Sequence, residues 1–337
     1  MASTRPGVLR NWLACLCLLP LAAVAGSDED AREVKHWLDR MERAVESLDY
    51  RGSLVHWRGG QVDTFRIIHR ANDDGVRERI YSLDGKPREI LRKGERVQSL
   101  TAGDQPLVVQ SQLAARLMPN LPISRLGTPE SGYEMRMGGQ DRVAGKLTRI
   151  VEIRPLDQFR YGYRFWLEED SGMLLRSALL DQRGRVLQQL SFVDIELGAQ
   201  INDADLEPGL TMPDGISRAR LDPPVSSQSR SALAEPSWLP PRLPPGFELA
   251  RVGRGSFDNG DDFEHLVFSD GVASFSVYIE PSDSSDSGSR LDAIGSFHVF
   301  TGRVDGRLIT VVGEVPRATV EYVGRPASHR PGTRARQ

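Results

Sequence analysis

Apolar residues at Val34, Trp37, Leu38, Met41, Val45 and Leu48 recur at helical spacing, which predicts an amphipathic helix over 28–50. Asp28, Glu29 and Asp30 open it, where the positive end of the helix dipole favours acidic side chains. Its polar face mixes both signs of charge, as in a helix that packs its stripe on a sheet rather than on a membrane. From residue 50 to about 101 the period shortens. Runs rich in Val, Ile, Tyr and Phe are broken by turn signals at Gly59-Gly60, at 72–75 and at Asp84-Gly85, a pattern that predicts antiparallel strands joined by hairpins. A short helix is expected over 111–118, ended by Pro119, and strands resume at Tyr133.

The stretch 160–192, RYGYRFWLEEDSGMLLRSALLDQRGRVLQQLSF, reads as three strands and two turns. Alternation puts Tyr161, Tyr163, Phe165 and Leu167 on one face of the first strand and Arg160, Gly162, Arg164 and Trp166 on the other. The next two strands carry apolar residues on both faces, so the sheet should be covered, at least in part, on both sides. Over 207–245 the composition turns proline-rich around the polar run 226–231, a linker that would let two domains reorient. Beyond it, a smaller unit over 246–324 holds expected strands at 263–268, 272–279, 297–302 and 307–313, with a Ser/Asp-rich loop at 281–289 and a basic tail at 325–337, expected to be disordered.

The N-terminus changes the picture of location. Arg5 and Arg10 precede an apolar run, Trp12 to Ala25, that ends in Ala23-Val24-Ala25, the pattern of a signal peptide over 1–25 with cleavage before Gly26. Pro20 interrupts the run, and it is shorter than the roughly 20 residues a membrane span needs. Both cysteines, Cys15 and Cys17, lie inside it, so the exported chain would carry neither disulfide nor thiol. Removing Arg5 and Arg10 from the 43 basic residues leaves 41 against 46 acidic ones, a mildly acidic chain that gives no support to nucleic-acid binding.

Candidate chemistry is sparse. His36, His56, His69, His265, His298 and His329 are scattered without the helical pair of a zinc protease, and no G-x-S-x-G elbow or phosphate-cradling loop occurs. Asp73-Asp74 and Asp261-Asp262 fall in expected turns, which aspartate favours through its own backbone bonds. No catalytic residue, cofactor or metal ligand is assigned. One charged region stands out: Arg77 and Arg79, with Lys86, Arg88, Arg92, Lys93 and Arg96, lie among Glu78, Glu89 and Glu95. Arg77 and Arg79 share a strand face with Tyr81, which is either a solvated outer face or a polar docking surface for an acidic partner or a lipid phosphate.

Several stretches in chain order carry a family resemblance: RGSLVHWRGGQVDTFRIIHR, GVRERIYSLDG, RVAGKLTRIVEIRPLDQFRYGYRFWLEEDSGMLLRSALLD, WLPPRLPPGFEL, DGVASFSVYIEP and ITVVGEVP. Together they resemble the MucB/RseB family of periplasmic regulators of envelope-stress sigma factors. The resemblance implies an α+β chain. Its N-terminal domain, 26–206, would be an unclosed antiparallel β-barrel with helices like the lipoprotein carriers LolA and LolB, and its smaller mixed α/β domain, 246–324, would serve partner binding. It implies a non-enzymatic periplasmic protein that covers the periplasmic domain of a MucA/RseA-like transmembrane anti-sigma factor, keeps a site-1 protease from it, and is released by lipid or lipopolysaccharide. Its output would be envelope-stress genes and, in pseudomonads, alginate; homo-oligomerisation is left open. In such a half-barrel Tyr161, Tyr163, Phe165 and Leu167 are candidates to line a lipid cavity, though the same stripe serves equally as core against Trp37 and Met41. A periplasmic lipid or lipoprotein carrier is the alternative, against which the second domain argues.

Overall fold

In the computed structural model the described residues are 25–73, 75–94, 96–102, 132–209, 216–221, 235–256, 262–282 and 288–325. The expected signal peptide up to residue 24, the 111–118 helix, the 226–231 run, most of the 281–289 loop and the tail beyond 325 lie outside them.

Helix α1 (Ala25–Ser47) is followed by strands β1 (Tyr50–Arg58), β2 (Gln61–Asn72), β3 (Gly75–Ser82), β4 (Arg88–Lys93) and β5 (Arg96–Ala102). After the undescribed stretch come β6 (Tyr133–Val143), β7 (Lys146–Pro155), β8 (Gly162–Glu168), β9 (Leu174–Leu180) and β10 (Val186–Leu197). A 3-10 turn at Asp203–Leu206 precedes β11 (Ile216–Leu221). The two meanders join where β1 pairs antiparallel with β10, giving one eleven-stranded sheet in the order β11-β5-β4-β3-β2-β1-β10-β9-β8-β7-β6. Its outer strands, β11 and β6, do not pair with each other, so the sheet stays unclosed. Joining β1 to β10 needs close backbone approach at Gly52, where a Cβ would stand 2.4 Å from the Asp194 carbonyl, beside the register shift at Ser53/Leu54.

Helix α1 lies on this sheet as its stripe requires. Val34, Trp37, Leu38 and Met41 pack with Tyr133, Met135, Val151, Ile153, Phe165 and Leu167, while Ala44 joins a second cluster built on Tyr50, Leu54, Phe65, Ile67 and Phe192. Trp166 is buried in that second cluster, opposite Phe165, so β8 is covered on both faces. Arg40 fastens the helix by donating to the Glu169 and Asp170 carbonyls at 2.8 Å in the β8–β9 turn. No helix among the described residues is long and apolar enough to cross a membrane.

The second sheet holds β12 (Glu248–Ser256), β13 (Asp262–Ser269), β14 (Ser274–Pro281), β15 (Arg290–Ile294), β16 (Phe297–Val304) and β17 (Arg307–Gly313) in the order β12-β13-β14-β17-β16-β15. A final helix, α2 (Arg317–Gly324), lays Val320 and Val323 on its core of Leu266, Phe268, Phe275, Val277, Phe300 and Val311. Strands β12 and β15 and this helix add to the four strands expected from alternation. Within the proline-rich 207–245 stretch, residues 216–221 form β11 and extend the first sheet beside β5.

Candidate functional site

The four residues expected to share one face separate into two environments. Phe165 and Leu167 are fully buried beneath α1, in the cluster that contains Trp37 and Met41, and Tyr163 packs half-buried at its margin, 5.9 Å from the Phe165 ring. Tyr161 precedes β8 and leaves this group. Its hydroxyl donates to the Ser296 carbonyl at 3.2 Å, across to the second domain. Alternation therefore holds only from the first paired residue of the strand, and Tyr161 belongs to the β7–β8 connection.

The two arginines of the outer face are also engaged, and by the chain itself. Arg77 pairs with Asp203 at 2.9 Å and Glu207 at 3.1 Å. Arg79 pairs with the buried Glu89 at 2.5 Å and donates to the Asp205 carbonyl at 3.2 Å. Arg70 adds a 2.6 Å pair to Asp203, whose carboxyl is held below its usual range by the hydrogen bond and charge of Arg70, with a further contribution from Arg77. The acidic segment after β10 is thus the partner that this basic face has found.

A dense polar arrangement lies at 157–161, between β7 and β8, where the two domains meet. Arg160 lies with no exposed side-chain surface, and sequence alternation gave it no role. Its guanidinium stands 3.1 Å from Asp270 of the β13–β14 turn, itself 1% exposed, and 3.3 Å from Asp157. It also donates to the Pro245 carbonyl and lies over the rings of Tyr133 at 5.2 Å and Phe247 at 5.1 Å, so that the charge is met by two carboxylates, a carbonyl and two π-faces. Gly132 makes room for it: its φ is +70°, and a Cβ there would stand 2.2 Å from the guanidinium nitrogen.

Asp270 is prepared for this partner by its own turn. Its second oxygen accepts the amides of Val272 at 2.8 Å and Ala273 at 2.7 Å, while the first accepts the Tyr133 hydroxyl at 3.3 Å. Burial pushes the carboxyl above its ordinary value, with Arg160 and the two amides working against that rise. The Tyr133 phenol is driven well up, by burial first and by the neighbouring Asp270 second. Around this centre Thr319 donates to the Phe159 carbonyl at 2.6 Å, the Phe159 and Tyr322 rings meet at 4.8 Å, and Glu314 accepts from Gln188 at 3.1 Å and from Ser296 at 2.6 Å. A sequence signal for Arg160 did exist: an arginine flanked by Phe159 and Tyr161 just before a strand start. Its partner Asp270 lies 110 residues away and looks like any turn aspartate.

Among the described residues no group of three or more His, Cys, Asp or Glu side chains converges as a metal site. What the arrangement supplies is a shaped two-domain surface with a charged joint.

Two family models match the chain: the MucB/RseB N-terminal domain over residues 33–210 and the MucB/RseB C-terminal domain over 232–327. The sigma factor AlgU regulatory protein MucB of Pseudomonas aeruginosa is 32% identical over 323 residues, covering 94% of this chain and 96% of that protein. The sigma-E factor regulatory protein RseB of Escherichia coli K12 is 26% identical over 288 residues, covering 85% and 87%. Among solved structures, the complex of Pseudomonas aeruginosa MucA and MucB aligns with TM-score 0.70 at 30% identity, over 88% of this chain and all of that one.

Proposed function

Because this chain belongs to the MucB/RseB family, we propose that it is a periplasmic regulatory binding protein for the periplasmic domain of a membrane anti-sigma factor, shielding that domain from site-1 proteolysis until a lipid or lipopolysaccharide signal releases it. The observation that carries this reading is the likeness to MucB across both domains in one chain order, together with the likeness to MucB as solved with MucA. The role is non-enzymatic: protection by covering needs only differential affinity of the binding protein for its partner and for the releasing lipid. A carrier of lipid or lipoprotein would need one cavity, whereas here a second domain is joined to the first through buried polar contacts.

The test is protease protection. The purified protein, added to the partner's periplasmic domain and the stress protease, is expected to slow cleavage at least tenfold. Equal cleavage rates with and without it would sink the regulatory reading.

A further inference from the structure

A charged side chain with no exposed surface is an unusual way to join two domains. Desolvating Arg160 and Asp270 offsets much of their attraction, so the pair adds little net stability; it does make every arrangement that separates the two ions without hydrating them unfavourable. Such a pair selects a geometry rather than gluing two surfaces. Its surroundings are largely of the same kind: Tyr161 to the Ser296 carbonyl, Thr319 to the Phe159 carbonyl and Gln188 to Glu314 are polar bonds, and beside them lie the apolar contacts of Phe159 on Tyr322 and of Val272 on the cluster beneath α1. Among the described residues the sheets meet through loops and side chains, and no strand of one lies extensively along a strand of the other.

A junction of this kind opens differently from an apolar one. When the domains part, both ions and each carbonyl regain water, so the return of solvation offsets most of what is lost. Closed and open arrangements then lie near each other in free energy, which is what a two-state element needs.

From this geometry we infer that the 157–161 loop is a reversible latch. The Arg160–Asp270 pair fixes one arrangement of the two domains, and, resting on the binding role proposed above, affinity for the anti-sigma partner follows the latched arrangement. Arg160 is a positioning residue in this account, since it is enclosed between the two domains.

Arg160→Met and Asp270→Asn test it, beside the double variant Arg160→Met/Asp270→Asn, which removes both charges and keeps an acceptor for the Val272 and Ala273 amides. Hydrogen exchange and small-angle scattering on the whole chain need no partner. The single variants are expected to lose protection at least tenfold at 157–161 and 295–296 and to expand, while amides of β7, β8, β13 and β14 keep theirs and so show that both domains remain folded. The double variant is expected to close again and to regain the affinity that the single variants lose by tenfold or more. Single variants with unchanged junction protection and unchanged dimensions would overturn the latch. Opened variants that bind the partner's periplasmic domain as tightly as the wild type would overturn its link to affinity. Wild-type protein that binds no partner would instead refute the functional reading, and leave the exchange result to decide the latch.

Discussion

Two titrating residues, one in each sheet, pull stability in opposite directions as pH changes. His265 of β13 stacks on Tyr278 at 4.4 Å with its Nε2 2.9 Å from the Ser276 hydroxyl, and burial, followed by the charge of Arg251, lowers its pKa from 6.5 to about 4. Between those values the unfolded chain takes a proton that the folded domain refuses, so this contribution is whole above 6.5 and is lost as pH falls toward 4. Glu78 of β3 behaves inversely: burial raises it from 4.5 to about 7, with Arg92 opposing, so the folded state keeps a proton that the unfolded chain has released. Its contribution is whole below 4.5 and disappears as pH rises through 7. The pH response of chemical denaturation, followed by exchange at β13–β14 and at β2–β3, should therefore contain a part from His265 that makes the second domain firmer at pH 6.5 than at pH 4.5, and a part from Glu78 that weakens the first domain against the opposite pull of the buried His56 and His69. His265→Phe should flatten the first trend and Glu78→Gln the second; trends that survive both substitutions would assign the pH response to other groups.

At the scale of elements, local pattern was a good guide where one face meets water and a poor one where pairing is distant. The stripe of α1, the hairpins from β1 to β5 and the alternation of β14 are all visible in the chain because each depends on neighbours within a few residues. The pairing of β1 with β10 joins Tyr50 to Leu197 and leaves no local trace; β12 and β15 pair with their chain neighbours but, as edges of the second sheet, bury no alternating face. The candidate site was legible to the same extent: Phe165 and Leu167 follow the strand period into the core, whereas Tyr161 falls one residue before the strand and Arg160 takes its meaning from Asp270 in another domain. The long-range pairing can be tested at Gly52. A Cβ there would meet the Asp194 carbonyl at 2.4 Å and the Phe192 ring at 3.0 Å, and since a backbone oxygen cannot swing aside, β1 and β10 would be forced apart. Gly52→Ala is expected to cost about 1–3 kcal/mol. Gly139→Ala, whose Cβ would meet nothing within 4 Å, should stay within about 0.5 kcal/mol of the wild type. Equal unfolding midpoints for the two variants would refute the close-approach account.

For the whole molecule, composition suggests a loose connection that the contacts do not bear out at its ends. The stretch between the domains is fastened at its start by Arg70, Arg77 and Arg79 holding residues 203–209, and at its end by Ser237 on Glu264, by Arg242 on the Tyr322 carbonyl and by Arg160 on the Pro245 carbonyl. Both described ends of the connection are therefore held by side-chain anchors, whatever stiffness its prolines add. These anchors are unequal. The Arg77 pairs end on carboxylates that are 64–73% exposed, where water and salt leave an ion pair with about 0–1 kcal/mol. Arg79 instead faces Glu89, only 1% exposed, which also accepts the Gly209 amide at 3.0 Å, so that one buried carboxylate ties the sheet to the segment leaving it. Taking the cation from a buried carboxylate costs far more than the pair's net worth, about 3–5 kcal/mol. Arg79→Ala should accordingly weaken the first domain by that order in urea denaturation and speed limited proteolysis within 203–245, while Arg77→Ala should change the unfolding midpoint little. If both variants are cut and unfold alike, the buried carboxylate does not hold the segment, and the start of the connection is governed by its prolines after all.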